Sequence, residues 1–157
     1  EGEGRNAVFL AKQGCEVTGV DGSSVGMQKA QALAKAQGVS IETVVADLAD
    51  VVIEPDSWDA IVSISCHLPS ALRASIHRQV VEGLKPGGVF VLEAYTPAQL
   101  ALGTGGPKDA DMLMSLDALR QELQGLGFTL AREVEREVIE GKYHTGRAAV
   151  VQLVAIK

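Results

Sequence analysis

The chain has 157 residues, the size of one domain on the usual range of roughly 100–200, and its 46% apolar and 22% charged content is that of an ordinary globular protein. A net charge of −6 with no cluster of Lys and Arg argues against a nucleic-acid partner, because phosphate backbones are bound chiefly by neutralising cations. No apolar run approaches the roughly 18 residues of a membrane span and no basic-then-apolar leader opens the chain, so a cytoplasmic protein without membrane contact is expected.

Asn6 to Gln13 spaces Ala7, Leu10 and Ala11 as a helix does, and Gly14 stops it. A short β-type run, Glu16 to Val20, ends at Asp21. Ser23 or Ser24 caps a second helix running to about Gln37, with Gly38 as its stop. Ile41 to Val45 reads as another strand, ending near Asp47, and residues 51–58 as a connection containing Pro55. Asp59 to Ser65 is apolar enough for a strand buried on both faces, as parallel strands are. Pro69 to Leu84 is helical and ends sharply at Lys85-Pro86-Gly87-Gly88, before a further buried strand from Val89 to Glu93. Tyr95 to Met114 predicts a long loop, and loops of that length are often functional. Ser115 caps a helix to Gln124; Phe128 to Ile139 and Ala148 to Ile156 then follow as two strands joined by Glu140 to Arg147.

Alternating strands and helices imply an α/β fold, a doubly wound and mostly parallel sheet flanked by helices. The closing pair without an intervening helix implies an antiparallel strand at its edge. One domain over residues 1–157 is expected. Such a fold ordinarily opens with a strand that feeds its first glycine loop, whereas Glu1-Gly2-Glu3-Gly4 stands first here. The expectation is therefore a longer chain, with the first strand ahead of these residues.

Three features carry chemistry. Gly2-Glu3-Gly4-Arg5-Asn6 runs straight into a helix, where glycines permit close backbone approach and the helix start offers N–H groups to an anion. Asp21, at the end of the next strand, suits a pair of ribose hydroxyls, and Asp47, ending the strand after that, would reach an adenine amino group. Each has a plainer reading: the glycines as a turn, Asp21-Gly22 as a turn and helix cap, Asp47 as a solvated loop residue. Their recurrence at the ends of successive strands favours a ligand site. Gly2-x-Gly4-x-x-Ala7 also fits a dinucleotide fingerprint, which keeps an NAD-dependent oxidoreductase in view, although the second half shows no second βαβαβ unit. Cys15 and Cys66 lack metal spacing and read as free thiols, and His67, His77 and His144 form no ligand pattern, so no metal is expected.

Six segments together point to a family: GEGRNAVFLAKQG, VTGVDGSS, VVADLAD, WDAIVSISCHLP, LKPGGVFVLE and EGKYHTGRAAVVQLVAIK. Over essentially all 157 residues the chain resembles the class I, Rossmann-like S-adenosylmethionine-dependent methyltransferases, and within them the small bacterial enzymes related to tellurite-resistance methyltransferases. The family's N-terminal helical segment, which usually covers cofactor and substrate, has no counterpart in these residues.

The resemblance implies that S-adenosyl-L-methionine is the cofactor. Gly2, Glu3 and Gly4 would wrap its methionine part, with Arg5 and Asn6 near its carboxylate. Asp21 would hold the ribose, Ser23 and Ser24 would border the adenine, and Asp47 and Leu48 would meet its edge. Ser63, Cys66 and His67 would flank the amino group and sulfonium. His67 is a candidate general base, with helix capping or packing as its alternative, and Tyr95 a candidate lining of the acceptor pocket. Glu93 would face the site, Trp58 reads as a strand-entry aromatic, and Tyr143 and His144 belong either to a lid or to an exposed turn. The expected partner is a small-molecule methyl acceptor, taken by a monomer or homodimer. A non-catalytic nucleotide-binding module is the alternative from outside enzymology.

Overall fold

A computed structural model of the chain describes residues 1–139 and 145–157, which fall into two compact units, Glu1–Val52 and Ile53–Lys157. Among the described residues no helix is long and apolar enough to cross a membrane.

The first unit is α1 (Arg5–Lys12), β1 (Thr18–Asp21), α2 (Ser24–Ala36) and β2 (Glu42–Val45). β1 and β2 pair in parallel, with Asp21 opposite Val45. Helix α2 starts where its sequence says it should, because the Ser23 hydroxyl accepts the Gly26 amide at 3.0 Å and satisfies one of the otherwise partnerless N–H groups of the first turn. Its apolar stripe, Met27, Ala30 and Ala34, is buried, as are Ala7 and Val8 of α1.

The second unit comprises β3 (Trp58–Ile64), α3 (Ser70–Gly83), β4 (Leu84–Tyr95), α4 (Gln99–Leu102), a 3₁₀ turn (Ala110–Met112), α5 (Leu116–Glu122), β5 (Gly127–Ile139) and β6 (Thr145–Ile156). Its sheet has the order β3-β4-β6-β5, with β3 parallel to β4 and β6 antiparallel to both of its neighbours. The antiparallel strand therefore lies inside this sheet rather than at its edge. The physical reason is visible in the residues: β6 buries Ala148 through Val151 together with Leu153 and Ala155, while β5 alternates Arg and Glu and tolerates solvent. Parallel β3 and β4 beside the antiparallel pair, with helices between strands, give the expected Rossmann-like α/β architecture.

Several sequence expectations change. Among the described residues β3 pairs with β4 alone, and Val62 is 39% exposed. β4 buries Phe90, Leu92 and Ala94 but leaves Val89, Val91 and Glu93 half-buried. The Lys85–Gly88 segment does not simply break the chain but begins β4, with Gly87 supplying a left-handed φ of 81°. The loop expected from Tyr95 to Met114 holds α4 and the 3₁₀ turn.

The core packs Phe90, Leu92, Val151 and Leu153 of the sheet with Val80 of α3, Leu119 of α5 and Leu123 just past its end. Each such side chain contributes roughly 1.5–3 kcal/mol by leaving water. A buried polar lock adds specificity to this helix pair. Arg73 donates to Glu122 at 2.8 Å and to the carbonyl of Asp111 at 3.1 Å, and His77 Nδ1 lies 2.7 Å from the other Glu122 oxygen.

Candidate functional site

The glycine loop is built by conformation and by close packing together. Gly2 and Gly4 both take left-handed φ, 71° and 87°, which only glycine adopts at little cost. At Gly4 space is also short, since a Cβ would stand 2.6 Å from the Cα and Cβ of Ala30. At Gly2 a Cβ would meet nothing within 4 Å, so its backbone presents an open face. α2 approaches the same loop closely: a Cβ on Gly26 would lie 2.9 Å from the Gly2 carbonyl. Arg5 and Asn6 open α1 and are exposed, and the Glu1 carboxylate accepts the Ala7 amide at 3.1 Å.

Asp21 is held from both sides of this loop. Its Oδ2 accepts the Gly2 amide at 2.8 Å and its Oδ1 accepts the Ser23 amide at 2.8 Å. Partial burial opposes ionisation, yet the Ser23 and Gly2 amides outweigh it and hold the carboxyl below its ordinary range. The side chain remains 26% exposed. The result is an oriented carboxylate beside an open glycine backbone at the carboxyl end of a strand, where open α/β sheets take their ligands. These residues fit the nucleoside and amino-acid parts of S-adenosylmethionine.

The remaining expected residues of the first unit are placed as follows. Ser23 caps α2, and Ser24, its first residue, is exposed. Glu3 is exposed and pairs with Lys29 of α2 at 2.6 Å, which lowers its pKa. Asp47 folds onto its own backbone, its Oδ1 accepting the Ala49 amide at 2.9 Å; Leu48 beside it is half-buried.

The second unit gathers a small pocket at the carboxyl ends of β3 and β4, lined by Ser65, Glu93, Tyr95, Arg136, Val138 and Val150. Glu93 is clamped by Arg136 through one oxygen and by the Gln152 amide at 2.6 Å through the other. Arg132 extends the row, donating to Gln152 at 2.9 Å. Tyr95 is 5% exposed, and its ring is hemmed by Gly106, where a Cβ would stand 2.5 Å from Tyr95 Cδ2. His67 lies parallel to that ring, and its Nε2 accepts the Tyr95 amide. Cys66, half-buried, sits between Ser65 and His67 in the turn after β3. Ser63 stands beside Leu92 in the register, two residues before the pocket begins.

Glu93 and Tyr95 thus come together, as do Gly2, Asp21 and Ser23. Tyr143 and His144 lie outside the described residues. Sequence reasoning missed Ser65, Arg136 and Gln152. The signal for Arg136 was present in Arg-Glu-Val-Glu-Arg-Glu-Val, whose period of two puts Arg132, Val134, Arg136 and Val138 on one face. Ser65 carried no such signal, because its left-handed φ of 55° is set by the tertiary fold.

The methyltransferase-domain family matches residues 1–88, more than half of the chain. No curated protein matches the chain in sequence. Among solved structures it is similar to TehB from Haemophilus influenzae, at 20% identity and a TM-score of 0.79, covering 99% of this chain and 55% of TehB. It is similar to a SAM-dependent methyltransferase from Methanosarcina mazei at 19% identity and TM-score 0.76, covering 99% and 88% of the two chains. The [4+2]-cyclase SpnF also shares the fold, at 16% identity and TM-score 0.74 over 99% and 72%. The chain belongs to the methyltransferase-domain family, as a Rossmann-like class I member of the S-adenosylmethionine-dependent type.

Proposed function

We propose that the chain binds S-adenosylmethionine at its glycine loop and Asp21 and passes the methyl group to a small-molecule acceptor. The observation that carries this reading is the Asp21 carboxylate, fixed by the Gly2 and Ser23 amides beside an open glycine backbone. In this reading Gly2, Glu3 and Gly4 follow the methionine part, with Arg5 and Asn6 near its carboxylate. Asp21 accepts from the ribose, while Ser23, Ser24, Asp47 and Leu48 border the adenine. Ser63, Cys66 and His67 are assigned to the amino and sulfonium end on the family resemblance.

The cofactor supplies an already activated methyl group. What the chain must add is alignment of the acceptor with that group and exclusion of water, which together remove roughly 7–11 kcal/mol of barrier without a covalent intermediate. A general base is required only for an acceptor that arrives protonated and weakly acidic. The pocket lined by Ser65, Glu93, Tyr95 and Arg136 is the acceptor-side candidate. A net charge of −6 disfavours nucleic acid, and a cytoplasmic monomer or homodimer fits the reading.

A second reading is a binding module that holds the cofactor without transfer. It is favoured by one observation, the shared fold of a protein described as a [4+2]-cyclase, since a fold does not fix a reaction. The experiment offers methyl-labelled S-adenosylmethionine with a panel of small oxygen, nitrogen and sulfur nucleophiles. Label in a product is expected; cofactor binding without label in any product selects the second reading.

A further inference from the structure

His67 has the chemistry of a general base but not the freedom of one. Its Nε2 lies 2.9 Å from the backbone nitrogen of Tyr95, and that nitrogen carries a proton, so Nε2 must accept and cannot itself be protonated. Its Nδ1 lies 3.1 Å from the Ser65 carbonyl, which only accepts, so Nδ1 must carry the ring's proton. The two contacts fix one tautomer, the neutral Nδ1–H form. The ring is further stacked on Tyr95, with centroids 5.3 Å apart and planes inclined by 12°. Ser65 is one end of this strut. It is held in the left-handed region at φ 55°, where a non-glycine residue stays only if its surroundings enforce it. Its own amide donates to the Glu93 carbonyl at 2.8 Å.

We propose that His67, in its neutral Nδ1–H tautomer, is the positioning residue of the acceptor pocket: it ties the turn after β3 to the end of β4 and so sets Ser65 and the Tyr95 wall against Glu93. The inference rests on the methyltransferase reading for its function but not for its geometry. The Nε2 lone pair that a general base would use is spent on the Tyr95 amide, so His67 acts through Tyr95 rather than on the acceptor.

Two measurements test it. Long-range proton–nitrogen NMR of the imidazole reads the tautomer directly: a protonated Nδ1 with a bare Nε2 is expected, and a protonated Nε2 overturns the proposal. Hydrogen exchange then follows the Tyr95 amide in two variants. His67→Ala should speed that exchange by about tenfold, as loss of one hydrogen bond does. His67→Gln, whose side-chain oxygen reaches the place of Nε2 and can accept the same amide, should restore slow exchange. Unchanged exchange in His67→Ala, or exchange in His67→Gln as fast as in His67→Ala, contradicts the positioning role. S-adenosylhomocysteine titrated into the unaltered protein runs alongside; its failure to bind would remove the methyltransferase reading while leaving the tautomer result standing.

Discussion

The Asp21 carboxylate takes the Gly2 amide on one oxygen and the Ser23 amide on the other, each at 2.8 Å, so one side chain joins the glycine loop to the start of α2. A carboxylate anchored in this way is oriented before any ligand arrives, and a ligand hydroxyl meets no cost of ordering it. Asp21→Asn keeps the size but removes the charge and turns one acceptor into a donor. Loss of a charged hydrogen bond costs about 1.5–3 kcal/mol, so affinity for S-adenosylhomocysteine should fall by roughly 10–100-fold in a calorimetric titration.

The two loop glycines should respond differently to alanine. Gly4→Ala meets both the left-handed φ and the 2.6 Å approach of Ala30, so conformational strain of about 1–2 kcal/mol adds to overpacking of about 1–3. Gly2→Ala meets the conformational term alone, about 1–2 kcal/mol. Chemical denaturation of the two variants should rank Gly4→Ala as clearly the less stable; equal losses would mean that the α1–α2 approach is not as tight as described.

Acid should weaken the α3–α5 lock. Burial alone would raise the Glu122 pKa, but hydrogen bonds from His77 and Arg73, with the Arg73 charge, reverse this and lower it from 4.5 to about 2. A carboxyl whose pKa falls on folding adds stability above its unfolded value and loses it as pH drops toward its folded value. Stability from this group is therefore complete above about pH 5 and drains away between roughly pH 4.5 and 2. Glu122→Ala leaves Arg73 buried without its partner and should cost about 3–5 kcal/mol at neutral pH. Urea melts of the protein and the variant across this range should converge at the acid end.

Gln99 is a latch over the segment that follows Tyr95. It is 1% exposed; its oxygen accepts the Ala149 amide at 2.9 Å, and its nitrogen donates to Thr104 Oγ1 at 3.0 Å and to the Gly105 carbonyl at 3.2 Å. Gln99→Leu fills similar space but strands buried polar groups, each at about 1–3 kcal/mol. Faster hydrogen exchange at Ala149 should accompany the loss, and an unchanged rate would show that the latch is redundant.

Much of this was legible in the chain itself, for physical reasons. Helix α2 could be read because Ser23 and Gly38 are local signals that act over a few residues. The glycine loop and Asp21 could be read because left-handed turns and strand-end carboxylates leave a residue-type signature. The position of β6 between β4 and β5 could not, since strand order depends on which side of a hairpin finds a partner. The apolar run from Ala148 to Val151 was the available hint that this strand is interior. The link from His67 to Tyr95 joins residues 28 positions apart, and no local pattern encodes it.

The most direct test of the cofactor assignment is a calorimetric titration of the protein with S-adenosylhomocysteine and, separately, with NAD. Binding of S-adenosylhomocysteine with a dissociation constant of about 1–100 μM, none of NAD, and its loss in Asp21→Ala is the predicted result. No heat from S-adenosylhomocysteine with the folded protein, or NAD bound in its place, would contradict the account.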